Sequence, residues 1–176
     1  MRARILPATG PMIALLLMPV ATAAQESDNR VAAETDWSVF VEDDPRECWV
    51  VSQPRETVNT RGGEVVSVNR GDILLFATYR PEQGVEGEIS FTGGYPFDPD
   101  STVEVEIGDD SFELFVEDNW AWPASQEDDE ALMEAMRGGA EAVVTGISSR
   151  GTQTEDTFSL FGFTAATEEA ARRCSD

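Results

Sequence analysis

The chain has 176 residues, 41% of them apolar and 26% charged, enough to bury one core and too few for several domains. Its 12 basic side chains are all arginine, and lysine and histidine are both absent. Those absences exclude Ser-His-Asp and Cys-His nucleophile systems, histidine-ligated zinc, lysine-based phosphate loops and Schiff-base chemistry.

Residues 1–23 read as a cleaved secretory leader. Arg2 and Arg4 open it, an apolar run over 12–20 follows, and Ala21-Thr22-Ala23 supplies the small residues of a peptidase site. Pro7, Pro11 and Pro19 break the apolar segment, which is shorter than the roughly 20 residues of a membrane span. The expected destination is the periplasm or the exterior, with no membrane insertion after cleavage. Residues 24–35 form a polar lead, and 36–176 a single domain. Ten arginines against 34 carboxylates remain after the leader, a net charge of −24 that repels nucleic acid and anionic lipid. The segment 81–136 holds 17 of those carboxylates and no arginine.

From residue 36 the pattern is short strands punctuated by turns. Trp37, Val39 and Val41 alternate with Ser38 and Phe40, and 48–51 makes a second apolar run. Further strands are expected over 65–68, 73–79 and 88–91. The clearest alternation is Val103-Glu104-Val105-Glu106-Ile107, with three β-branched side chains on one face and two carboxylates on the other. Turns at Gly108-Asp109-Asp110 and Glu117-Asp118-Asn119 lead into strands over 111–116 and 120–122, a meander.

Ser125 followed by Asp128 marks a helix start. That helix should run over 126–137 with Leu132, Met133 and Met136 inward, and end at Gly138-Gly139. Strands over 141–147 and 154–160 follow, then a last helix over 164–173. The fold class is all-β: a β-sandwich or flattened barrel with two short helices, one of them C-terminal. Cys48 and Cys174 admit one pairing, and in an oxidising compartment they should close a structural disulfide. No C-x-x-C motif and no neighbouring lysine or histidine favours a redox role instead.

Several features bear on function. Asp98-Pro99-Asp100, with Asp109 and Asp110 nearby, is the best calcium loop, but it lacks the EF-hand glycine and glutamate spacing. A carboxylate pair suited to hydrolysis is available by residue type alone. Arg70-Gly71-Asp72 is a receptor-type tripeptide, although Gly71 and Asp72 also serve a turn into the next strand. Arginines 46, 55, 61, 70 and 80 form either an anion-attracting patch or a set of ion pairs. Tyr95, Trp120 and Trp122 are the candidate interaction surface, an aromatic groove for a peptide or carbohydrate.

The block Phe158-Ser159-Leu160-Phe161-Gly162-Phe163-Thr164-Ala165-Ala166 resembles the closing Leu-x-Gly-Phe-Thr-x-Ala motif of the invasion-associated locus B family, exported alphaproteobacterial proteins. Trp37, and Cys48 with Gln53, are similar to the family's opening strands, and Gly94-Tyr95-Pro96-Phe97 to its central turn. The resemblance runs from Trp37 to about Ala166. It implies an exported β-rich protein with no enzymatic activity, associated in pathogenic members with host-cell invasion. The expectation is therefore a non-enzymatic envelope or interaction protein, without cofactor, whose partner is an envelope or surface protein. The alternative is a histidine-free periplasmic hydrolase that uses paired carboxylates, with calcium as its candidate cofactor.

Overall fold

The computed structural model describes residues 29–175. The leader at residues 1–23 lies outside them, as does the start of the polar lead. Among the described residues the strands are β1 (Arg30–Glu34), β2 (Trp37–Asp43), β3 (Arg46–Ser52), β4 (Glu56–Arg61), β5 (Glu64–Val65) and β6 (Leu74–Arg80). There follow β7 (Val85–Thr92), β8 (Thr102–Ile107), β9 (Asp110–Glu117), β10 (Trp120–Trp122), β11 (Glu141–Ile147) and β12 (Gln153–Ser159). Helix α1 (Gln126–Gly138) sits between β10 and β11, and α2 (Phe163–Ser175) comes last.

All strands join one antiparallel sheet in the order β1-β2-β3-β6-β7-β10-β9-β8-β11-β12-β4-β5. The sheet is open, with β1 and β5 at its two ends, and it folds over on itself so that its halves share one core. Strands far apart in that order meet across the core. Trp37 Nε1 of β2 donates to the Ser159 carbonyl at the end of β12 at 3.0 Å, and the rings of Phe91 (β7) and Phe158 (β12) meet edge to face at 6.1 Å. Trp37, Phe91, Phe158 and Phe163 are all fully buried, and each contributes roughly 2–3 kcal/mol of apolar transfer.

Period-2 alternation decides which side chains reach that core. In β8, Val103, Val105 and Ile107 are buried while Glu104 and Glu106 face water. In β3, Cys48 and Val50 point inward and Trp49 outward; in β10, Ala121 is buried between Trp120 and Trp122. Helix α2 buries Phe163, Ala166, Thr167, Ala170 and Cys174, a three- and four-residue spacing that makes one apolar stripe. Phe163 packs edge-on against Trp37 at 4.8 Å, and Cys174 forms a disulfide with Cys48 across a sequence separation of 126.

Helix α1 begins where expected: the Ser125 hydroxyl accepts from Asp128 N at 3.2 Å. Gly162, at φ +94°, links β12 to α2, and a Cβ there would lie 2.0 Å from the Glu34 carbonyl, so only glycine lets this turn approach β1.

Two strands differ from the sequence reading. Arg30–Glu34 pairs with β2 although it lies in the polar lead, and Glu56–Arg61 pairs with β12 although no apolar alternation marks it. The strand expected over 65–68 shrinks to Glu64–Val65, because at this end of the sheet Val65 has nothing to cover it and is 77% exposed.

Candidate functional site

The outward side chains of five strands line up as aromatics. Phe40 and Trp49 sit opposite each other on β2 and β3 and stack at 5.5 Å. Phe76 of β6 reaches Trp120 at 5.7 Å, Trp120 stacks on Trp122 at 6.3 Å, and Trp122 meets Phe115, its cross-strand partner on β9, at 5.6 Å. Such pairs contribute beyond their buried area. Between β6 and β10 lies β7, which presents Glu88 and Ser90 to the groove. The short side chains of Ser90 and of Thr78 on β6 leave a groove of about 420 Å³, floored by those two and walled by Trp49, Phe76, Trp120 and Trp122. One end is closed by Arg80, which bonds Glu47 at 2.8 Å and Glu88 at 2.9 Å. Trp120 is 37% exposed and Phe115 47%, an unusual concentration of aromatic surface.

A second cavity of about 470 Å³ adjoins this groove and shares Glu88 and Trp122 with it. Its other charged walls are Glu86, Glu117 and Asp129. Strand β10 pairs β7 only at Phe91 and Thr92, so β7 runs on past it, and α1 lies alongside. The Ile89 N–H on that stretch donates to Asp129 Oδ1 at 2.8 Å, which fastens the first turn of α1 to the sheet. Burial, reinforced by Glu88 and Asp128, raises the Asp129 carboxyl to about 6, while the Ile89 N–H pulls the other way. A carboxyl that titrates near neutrality beside other carboxylates in a concave site is what carboxylate acid–base chemistry requires.

Trp120 and Trp122 thus come together as expected, but Tyr95 does not join them. Its hydroxyl bonds Thr154 Oγ1 of β12 at 2.5 Å, its ring packs edge-on to Phe97 at 5.0 Å, and the Arg70 guanidinium lies 5.0 Å above it. Arg70 is itself committed. Its Nη1 and Nη2 bond the two oxygens of Asp156 at 2.7 and 2.5 Å, and its Nε donates to the Gly93 carbonyl at 2.8 Å. The two side chains are 6% and 0% exposed, so the Arg70-Gly71-Asp72 tripeptide offers no free arginine. Of the other singled-out arginines, Arg46, Arg55 and Arg80 pair with Asp43, Asp36 and Glu47/Glu88, whereas Arg61 bonds Thr152 Oγ1. Asp98 Oδ1 accepts from Asp100 N within its own turn, and no group of three or more carboxylates or thiols among the described residues is placed to hold a metal.

Sequence reasoning missed Trp49, Phe76 and Asp129 as site residues. For Trp49 a signal existed: once Cys48 and Val50 are inward, Trp49 must face out. For Asp129 none did, because its environment comes from β7.

Among the described residues no helix is long and apolar enough to cross a membrane. The model of the family described as invasion associated locus B (IalB) protein matches residues 37–171. The crystal structure of invasion associated protein b from Bartonella henselae is similar at a TM-score of 0.55 and 14% identity, over 82% of this chain and 98% of that one. A comparison with curated proteins found no match.

Proposed function

Because the chain belongs to the invasion associated locus B family, we propose that it is an exported, non-enzymatic binding module that grips an envelope or cell-surface protein through its outer sheet face. The observation that carries this reading is the row of Trp49, Phe76, Trp120 and Trp122 standing outside the core with carboxylates at its end. Aromatics in a continuous groove supply desolvation energy to a partner, and Glu86 and Glu117, with the one carboxylate charge that Arg80 leaves uncancelled between Glu47 and Glu88, favour a partner whose contact segment is basic. Export is supported by the charged, apolar and small-residue order of residues 1–23 and by the Cys48–Cys174 bond.

The test is in-cell cross-linking of the tagged chain, run in parallel with Trp49→Ala and Trp120→Ala, both facing out of the core. The expected result is one reproducible envelope partner, linked on the β3–β10 face and lost in both variants while their melting temperatures stay close to the parent's. Capture that is unchanged in both variants would refute this face.

A second reading has its own observation, the Asp129 carboxyl at about 6 in a cavity that also holds Glu86, Glu88 and Glu117. It makes the chain a carboxylate hydrolase. That reading requires turnover of a glycoside or ester library with an acid limb near pH 6, abolished by Asp129→Asn; the binding-module reading requires no turnover at all.

A further inference from the structure

In a chain with 34 carboxylates, arginines without a carboxylate neighbour are anomalous. Among the described residues only Arg30, Arg61 and Arg150 have none within 4.0 Å; the others all form ion pairs. Arg61 and Arg150 line the same cavity, of about 440 Å³, on the side of the molecule where Tyr95 lies. No carboxylate lines it.

The cavity is built on pinned backbone. The β11–β12 turn is closed by Ser148 N to Thr152 O at 2.9 Å, Gly151 N to Ser148 O at 2.8 Å and Thr152 N to Ser148 Oγ at 3.1 Å. Ser149 N fastens it to the Pro96 carbonyl at 2.9 Å. Arg150 stands at the tip of this turn. Arg61, at the end of β4, is held against it by its Nη2 bond to Thr152 Oγ1 at 2.6 Å. Arg70 also lines the cavity, nine-tenths buried, but both oxygens of Asp156 cancel its charge. What remains is two uncompensated guanidinium groups beside the hydroxyls of Ser148, Ser149 and Thr152.

We propose that this cavity binds a compact dianion, a small molecule that presents carboxylate or phosphate oxygens to Arg61 and Arg150. Guanidinium forks match the planar carboxylate and the phosphate edge in a way a point charge does not. Two charges set the complement at two. Size is set by the rest of the molecule: a small anion stays within the roughly 8 Å over which the two guanidinium groups act on it, whereas a long polyanion runs on over the surrounding carboxylates and is repelled at close range.

Calorimetric titration of the full mature chain with succinate, inorganic phosphate, single-stranded DNA and sodium chloride tests this and separates the two oxyanion sources. Succinate or phosphate should bind above the chloride background. Arg61→Gln and Arg150→Gln should each weaken binding on the order of tenfold or more, as the loss of a charge-assisted contact does. Arg55→Gln, which removes an exposed arginine paired with Asp36 elsewhere, should leave it unchanged. Far-ultraviolet dichroism of each variant establishes that it is folded. The proposal is overturned if neither dianion binds, if both Arg61→Gln and Arg150→Gln bind as the parent does, or if single-stranded DNA binds more tightly than either small anion.

Discussion

Arg70 and Asp156 form a buried pair whose removal can be worked through in both directions. Asp156→Leu leaves a guanidinium at 6% exposure with only the Gly93 carbonyl and Asn59 Oδ1 as acceptors. Stranding a buried charge in this way costs about 3–5 kcal/mol. Arg70→Met strands the fully buried carboxylate, frees the Gly93 carbonyl from its donor and removes the cation above Tyr95, so it should cost about 1 kcal/mol more. The double variant Arg70→Met/Asp156→Leu removes both charges and substitutes apolar volume. It should return to within about 2 kcal/mol of the parent, which makes the coupling energy roughly 5 kcal/mol or more. Urea unfolding at neutral pH, followed by tryptophan fluorescence with the disulfide intact, measures all four corners. Single variants that each lose less than about 1 kcal/mol, or whose losses simply add in the double variant, would refute the reasoning.

Cys48→Ser/Cys174→Ser opens a loop of 126 positions, and the chain-entropy model sets the loss at about 5 kcal/mol at most, read as a large fall in the urea midpoint. Gly162→Ala forces a side chain into φ +94° and against the Glu34 carbonyl; unfolding curves should show a loss of at least about 2 kcal/mol, with β1 amides exchanging faster. Asp129 carries a raised carboxyl, so the fold favours its protonated form: that contribution is whole below the ordinary value of 3.8 and lost as pH rises through about 6. Discounted for its half-exposure to solvent, the parent should lose on the order of 1 kcal/mol relative to Asp129→Asn between pH 4 and 7, and a pH-independent difference would refute the shift.

How much of this was legible in the sequence depended on whether the signal was local. Strands such as β8 and β11 carry their own alternation, and α1 carries its own cap and its own glycine stop, so the sequence alone places all three to within a residue or so. Strand β4 reads Glu-Thr-Val-Asn-Thr-Arg, a polar stretch whose β-branched Thr57, Val58 and Thr60 permit a strand but carry no apolar alternation; it is one because β12 offers it a ladder. The sites followed the same division. Trp120 and Trp122 are two residues apart on one strand, so their spacing alone puts them together, whereas Trp49 and Phe76 join them only through the order of the sheet. Tyr95 shares their chemistry, but the topology places it apart from them. Asp129 and the pocket of Arg61 and Arg150 depend on which element lies across the way, which no spacing along the chain encodes.

The bond between Cys48 and Cys174 encloses, in sequence, every strand from β4 to β12 and both helices. A chain that stops anywhere short of residue 174 therefore leaves Cys48 as a solitary thiol, with no second cysteine in the sequence to satisfy it. A closed bond therefore reports that the chain has been made at least as far as α2. A product cut short between the two cysteines keeps a thiol open to mixed disulfides, so thiol labelling reads truncation directly through a single functional group.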